Sequence, residues 1–138
     1  MNQVAPEGPI YQAGTLSGNP VAMAAGMAIL RKLHEHPEIY KQVEQTTRQI
    51  TTGITKILSL QGLTYKINQI GSMYSLFFTD QKVTNFETAE STDIQLFGAY
   101  FRGMVSRGSY LSPSQFESLF ICNAIQSAEV ASIWKATE

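Results

Sequence analysis

The chain has 138 residues, 43% of them hydrophobic and 15% charged, with a formal net charge of −1. That length is enough for one domain with a real core and no disulfide or metal. The ten Lys and Arg residues are scattered and form no basic stripe of the kind that neutralises phosphate backbones, which sets nucleic acid aside.

A charged fraction below the usual quarter points to a surface partly covered by a partner. The single cysteine, Cys122, excludes an internal disulfide and a thiolate metal centre, and suits a reducing compartment. It stands in the apolar run LFIC and is expected to be a small buried hydrophobe. MNQVAPEGPIYQ shows neither a charged n-region nor an apolar h-region. The apolar stretch at 20–30 is too short to span a bilayer. The expectation is a soluble, cytoplasmic protein without membrane contact.

In chain order, residues 1–18 carry Pro6, Gly8, Pro9, Gly14 and Gly18 and read as an irregular lead-in, as though cut from something larger. Asn19-Pro20 is a strong helix start: Asn caps the orphan N–H groups and Pro presets the first helical φ. The helix over Val21–Leu33 is apolar nearly all round and rich in Ala and Gly, so it is expected to be buried on most sides, ending at His36-Pro37. From Glu38 to about Leu60, Ile39, Val43, Ile50, Ile54, Ile57 and Leu58 recur at helical spacing and predict an amphipathic helix. LTYKINQI at 63–70 and MYSLFFT at 73–79, separated by Gly71-Ser72, predict two antiparallel strands.

Thr84–Ser91 reads as a polar connector. Ser91, Thr92 and Asp93 offer a cap for a helix striped by Ile94, Phe97, Phe101, Met104 and Val105, with Gly108 at the C′ position. Tyr110-Leu111 and Leu119–Cys122 predict two further short strands around SPSQFE, and a last helix runs from about Ser127 to Lys135. Helices and short strands without a repeated βαβ unit define an α+β, two-layer class: a small antiparallel sheet packed with helices.

Two places carry candidate chemistry. In YQAGTLSGNP, Gly14 exposes its N–H without a Cβ in the way, Thr15 adds a hydroxyl, and a helix starts just downstream. These are the ingredients of an anion cup, although the same residues also make an ordinary turn before a helix. Glu117, on the Pro- and Ser-rich loop before an apolar run, is either a site acid or a solvated carboxylate. His34 and His36 point apart near a helix end and complete no ligand set, so no metal is expected. Phe77, Phe78, Phe97, Tyr100 and Phe101 are expected in the core, because no basic residues interleave with them. Ser17 lacks a His partner for a hydrolase triad.

The run GPIYQAGTLSGNPVAMAAG at 8–26, GSMYSLFFT at 71–79, V-x-N-F-x-x-A at 83–89 and FRGMVSRGSYLSPSQFES at 101–118 closely resemble the glutamate-1-semialdehyde 2,1-aminomutase family. These are class III aminotransferase-type enzymes of fold type I that use pyridoxal 5'-phosphate. The similarity is colinear over essentially the whole chain. The G-T-x-x-G-N-P pattern suggests the wider class, and F-R-G-M with SPSQFE narrows it to the aminomutases.

The resemblance implies the C-terminal portion of such an enzyme, with residues 1–18 a lead-in and cofactor-phosphate loop from the large domain and 19–138 the small α+β domain. It implies that Gly14 and Thr15 reach across a homodimer to the neighbouring subunit's cofactor phosphate, that Tyr11 stands at the rim of the site, and that Glu117 lies near the substrate pocket, able to bind or orient an amino group. The family's Schiff-base lysine falls upstream of this sequence, so the chain alone is expected to be inactive. The implied activity of the whole enzyme is conversion of glutamate 1-semialdehyde, a small amino-aldehyde, to 5-aminolevulinate in tetrapyrrole biosynthesis.

CNAIQS at 122–127 departs from the family, with Ile125 and Gln126 replacing a His-Thr pair. Two alternatives stay open: another class III aminotransferase, and a non-catalytic α+β interaction module.

Overall fold

The computed structural model describes residues 1–138 and groups them into two units, Met1–Pro37 and Glu38–Glu138. The boundary expected at 18/19 falls inside the first of these.

In the first unit the lead-in folds into a hook. Ile10 N–H donates to Gln3 O at 2.9 Å and Ala5 N–H to Ile10 O at 2.8 Å. Helix α1 spans Pro20–Glu35, and Asn19 caps it as its sequence predicts. The Asn19 side chain accepts from Val21 N–H at 3.0 Å and Ala22 N–H at 3.1 Å. One expectation fails here: α1 contains no buried residue, and Val21, Met23, Ile29 and Leu30 are all at least 59% exposed. The apolar, small-residue face that made burial plausible is left exposed.

The second unit begins with α2, Glu38–Leu60, whose 23 residues bury Thr47, Ile50, Thr51, Ile54 and Leu58. It stops at Gly62, where φ is +71°. Gly62 N–H donates to Ser59 O and Leu63 N–H to Leu58 O, both at 3.1 Å, the paired bonds of a Schellman cap. Strands β1 (Lys66–Ile70) and β2 (Met73–Phe77) pair antiparallel, Ile67 opposite Leu76 and Ile70 opposite Met73. The two-residue turn relies on Gly71 at φ +53°.

A helix appears where only a polar connector is expected: α3, Phe86–Glu90, is initiated by Asn85, whose side chain accepts from Thr88 N–H at 3.0 Å. Thr88 Oγ1 accepts in return from Asn85 N–H at 3.1 Å, so two short polar side chains close a reciprocal capping box. Helix α4, Ile94–Ser106, is capped by Asp93. It ends in a second Schellman pair, Gly108 N–H to Val105 O at 3.0 Å and Ser109 N–H to Met104 O at 2.9 Å, with Gly108 at φ +86°.

The cap is followed by irregular chain. Tyr110-Leu111 forms no strand, and β3 is only Leu119–Phe120, paired antiparallel with β2 to give the order β1-β2-β3. Helix α5, Ser127–Thr137, closes the chain.

Alternation along β2 decides what each sheet face does. Tyr74 and Leu76 join Ile50, Ile54 and Leu58 of α2, Phe97 of α4 and Val130 of α5 in the main core, with Phe78. Phe77, on the opposite face, packs with Val83 and with Ala89 of α3. The result is a three-stranded antiparallel sheet with five helices in the chain, an α+β arrangement. Phe77, Phe78 and Phe97 are buried as expected. Cys122 is exposed, against expectation. The apolar run LFIC leaves the sheet after Phe120, and Ile121 and Ile125 pack on the core while Cys122 sits in the intervening turn, its carbonyl accepting from Ile125 N–H at 3.3 Å.

Candidate functional site

Gly14 and Thr15 occupy the first two positions of a turn closed by Ser17 N–H donating to Gly14 O at 3.0 Å. A second turn follows, Asn19 N–H to Leu16 O at 3.0 Å, with Gly18 at φ +74° in the position that a type II turn reserves for glycine. A Cβ on Gly14 would stand 2.7 Å from Ser17 Oγ, so the Ser17 hydroxyl would have to rotate away to admit one.

Within the chain, the N–H groups of Thr15 and Leu16 and the Thr15 hydroxyl donate to nothing, whereas the first free N–H groups of α1 are already taken by Asn19. The donors open to an anion therefore come from the turn and not from the helix end, a refinement of the cup read from the sequence. Thr15 is exposed, and Tyr11, three residues before Gly14, is 82% exposed.

Glu117 belongs to the second unit and is exposed on the loop 112–118. Its carboxylate accepts from Ser112 Oγ at 2.6 Å, and its N–H donates to Ser114 O at 3.2 Å. Between them Gln115 is buried, 3% exposed. Its Nε2 donates to Thr92 Oγ1 at 2.7 Å and Ala89 O at 3.3 Å. Thr92 Oγ1 spends its own proton on Ala89 O at 2.8 Å, so it must accept from Gln115, which fixes the amide orientation. Gln115 Oε1 is buried without a partner, at a cost of about 1–3 kcal/mol.

Phe116 and Phe86 add a tilted ring contact at 5.7 Å between the loop and α3. Ser118 Oγ lies 3.1 Å from Ser75 Oγ on β2. The sequence reading missed Ser112 and Gln115. The one signal for them was SPSQFE itself, since their partners lie up to 26 residues away.

Ile125 packs on the main core. Gln126 precedes α5, and its N–H donates to Glu129 Oε2 at 2.9 Å. The pair that departs from the family pattern thus has structural work in this chain. No group of three His, Cys, Asp or Glu side chains comes together, and no helix is long and apolar enough to cross a membrane.

The architecture is that of a segment of the transaminases. A solved transaminase with bound pyridoxal phosphate and an omega-transaminase from Sphaerobacter thermophilus each superpose at TM-score 0.73, covering 96% of this chain and 29% and 31% of their own, at 20% identity. A beta-phenylalanine aminotransferase from Variovorax paradoxus superposes at 0.69 and 22% identity over 96% of this chain and 30% of its own.

Sequence similarity is more particular. The chain is 54% identical to a glutamate-1-semialdehyde 2,1-aminomutase of Cytophaga hutchinsonii over 91% of its length and 29% of the relative's. It is 49% identical to the Desulfitobacterium hafniense enzyme of that name over 94% and 30%, and 47% identical to a glutamate-1-semialdehyde 2,1-aminomutase 2 of Bacillus cereus over 100% and 32%. The chain thus spans under a third of the length of these curated relatives, and it corresponds to their C-terminal portion. No protein-family model matches it.

Proposed function

We propose that the chain is the C-terminal portion of a pyridoxal-phosphate-dependent glutamate-1-semialdehyde 2,1-aminomutase, residues 1–18 being a loop of the large domain and 19–138 the small domain. The observation that carries this is identity of 47–54% to aminomutases over 91–100% of the chain.

The residues present fit the cofactor's phosphate. Thr15 supplies a hydroxyl and an N–H, Leu16 a second N–H, and Gly14 keeps the approach clear of a side chain. Three uncommitted donors on one exposed turn suit a phosphate dianion. In this reading the turn serves the cofactor of a second copy in a cytoplasmic homodimer, Tyr11 lines the rim, and the exposed apolar face of α1 is covered by the rest of that assembly. Pyridoxal phosphate, when bound, supplies the electron sink that labilises bonds at an amino-bearing carbon. Glu117 holds and orients the amino group of the amino-aldehyde, its carboxylate accepting a hydrogen bond from the ammonium. The Schiff-base lysine belongs to the part of the enzyme outside these residues.

The test is turnover by the full-length enzyme. Glutamate 1-semialdehyde should yield 5-aminolevulinate with no keto acid consumed. Transamination of an added keto acid without aminolevulinate would replace this reading with that of an ordinary class III aminotransferase. Failure to bind the cofactor at all would favour an interaction module.

A further inference from the structure

Glu117 is held by its own loop before any substrate reaches it. The Ser112 hydroxyl has one proton and two acceptors within range, Glu117 Oε2 at 2.6 Å and Ser114 O at 3.3 Å. The shorter bond to a carboxylate is charge-assisted and wins the proton. Ser112 Oγ also accepts from Ser114 N–H at 3.4 Å, and Ser114 Oγ accepts from Phe116 N–H at 3.2 Å. The two serines therefore brace the loop backbone, Ser112 across Pro113 and Ser114 across Gln115, and Ser112 is part-buried while Glu117 is exposed.

The base of the loop is fixed independently. Gln115, 3% exposed, ties it to Thr92 and to Ala89 at the corner between α3 and α4. Glu117 Oε1, by contrast, has no bond within the chain, so one carboxylate oxygen is restrained and the other is available.

We propose that Ser112 is a positioning residue for Glu117: its hydroxyl fixes the carboxylate through Oε2 and leaves Oε1 directed to the substrate's ammonium, on a loop that Gln115 anchors. This rests on the assignment of Glu117 to the substrate's amino group. A long acidic side chain on a surface loop samples several rotamers. A donor from the same loop removes that freedom before binding, so less of it is lost when substrate arrives.

The experiment is steady-state kinetics of the full-length enzyme with Ser112→Ala, Ser112→Thr, Glu117→Gln and the Ser112→Ala/Glu117→Gln double variant, alongside cofactor content by absorbance and thermal melting. Ser112→Ala should lower kcat/KM by about tenfold, the usual scale for losing one hydrogen bond to a charged group, with cofactor content and melting unchanged. Ser112→Thr, which keeps the donor, should recover most of that loss. In the Glu117→Gln background, Ser112→Ala should add nothing.

Wild-type kinetics in Ser112→Ala beside an impaired Glu117→Gln would overturn the positioning role and leave the Glu117 assignment standing. Wild-type kinetics in Glu117→Gln would remove that assignment and the positioning role with it. Additive losses in the double variant, or a loss in Ser112→Ala that follows cofactor release or melting, would make Ser112 merely structural. Should the Ala variant fail to fold, the Ser112→Thr variant decides: near wild-type turnover supports the role, and a full loss in a folded protein overturns it.

Discussion

The indole of Trp134 on α5 lies directly against the backbone of Gly53 on α2. A Cβ built on Gly53 would overlap the Nε1, Cε2 and Cδ1 atoms of the indole, and Trp134 Nε1 donates to Ile50 O at 3.3 Å, one turn earlier. Glycine in a helix interior costs about 0.5–1 kcal/mol relative to alanine, and here that cost is offset by close helix–helix packing. Gly53→Ala should therefore destabilise the protein by about 1–3 kcal/mol despite its better helix propensity, as read by urea unfolding. The effect should change sign in a Trp134→Ala background, where the space is vacated and propensity alone acts. A Gly53→Ala variant as stable as the parent would show that the helices do not meet this way.

Ile54 is 0% exposed and sits between Ile50 and Leu58 at the centre of the main core. Ile54→Ala should cost about 2–5 kcal/mol, lost transfer energy plus the cavity left behind. Leu60, on the same helix but 79% exposed, should tolerate alanine within about 0.5 kcal/mol. Unfolding midpoints of the two variants compare them directly.

Tyr74 is 4% exposed, and burial, with Tyr100 beside it, holds its phenol well above the ordinary value of 10.0. Burial also raises Tyr100, partly offset by its hydrogen bond to Thr137. A pKa raised in the folded state favours the neutral form, so the contribution to stability is intact below the unfolded value. It declines once the pH rises past about 10, where only the unfolded chain releases its proton. Stability should fall through that alkaline range, and Tyr74→Phe should shift the alkaline unfolding midpoint to higher pH. An unchanged midpoint would mean that Tyr74 is not buried as described.

For the proposed phosphate turn, Thr15→Ala in the full-length enzyme removes one hydroxyl donor and leaves the turn's backbone bond, Ser17 N–H to Gly14 O, in place. Cofactor affinity should fall about tenfold or more, the scale of one hydrogen bond to a charged acceptor, without a change in secondary structure. Equilibrium dialysis of the cofactor measures it, and undiminished affinity would take Thr15 out of the site.

Most elements were legible because their signals are local. Asn19-Pro20, Gly62, Gly71 and Gly108 punctuate the chain at fixed positions, and the α2 stripe from Ile50 to Leu58 repeats at helical spacing. Helix α3 was not legible. Its capping box uses Thr88 where the common pattern has Glu or Gln, and five residues are too few to show a period. Tyr110-Leu111 has strand-like residues, but strand pairing is a tertiary event, and β2 takes Leu119–Phe120 instead. The site divides the same way. Turn chemistry exposed Gly14 and Thr15, whereas the role of Gln115 depends on Ala89 and Thr92, more than twenty residues upstream.

Helix α1 presents two thioethers to solvent, Met23 at 60% and Met27 at 50% exposure. Sulfur in that setting is open to peroxide, and each sulfoxide adds one oxygen atom, a mass change that a peptide digest reports residue by residue. The pace of that reaction is therefore a chemical gauge of coverage: fast wherever the helix is bare, slow wherever another surface shields it.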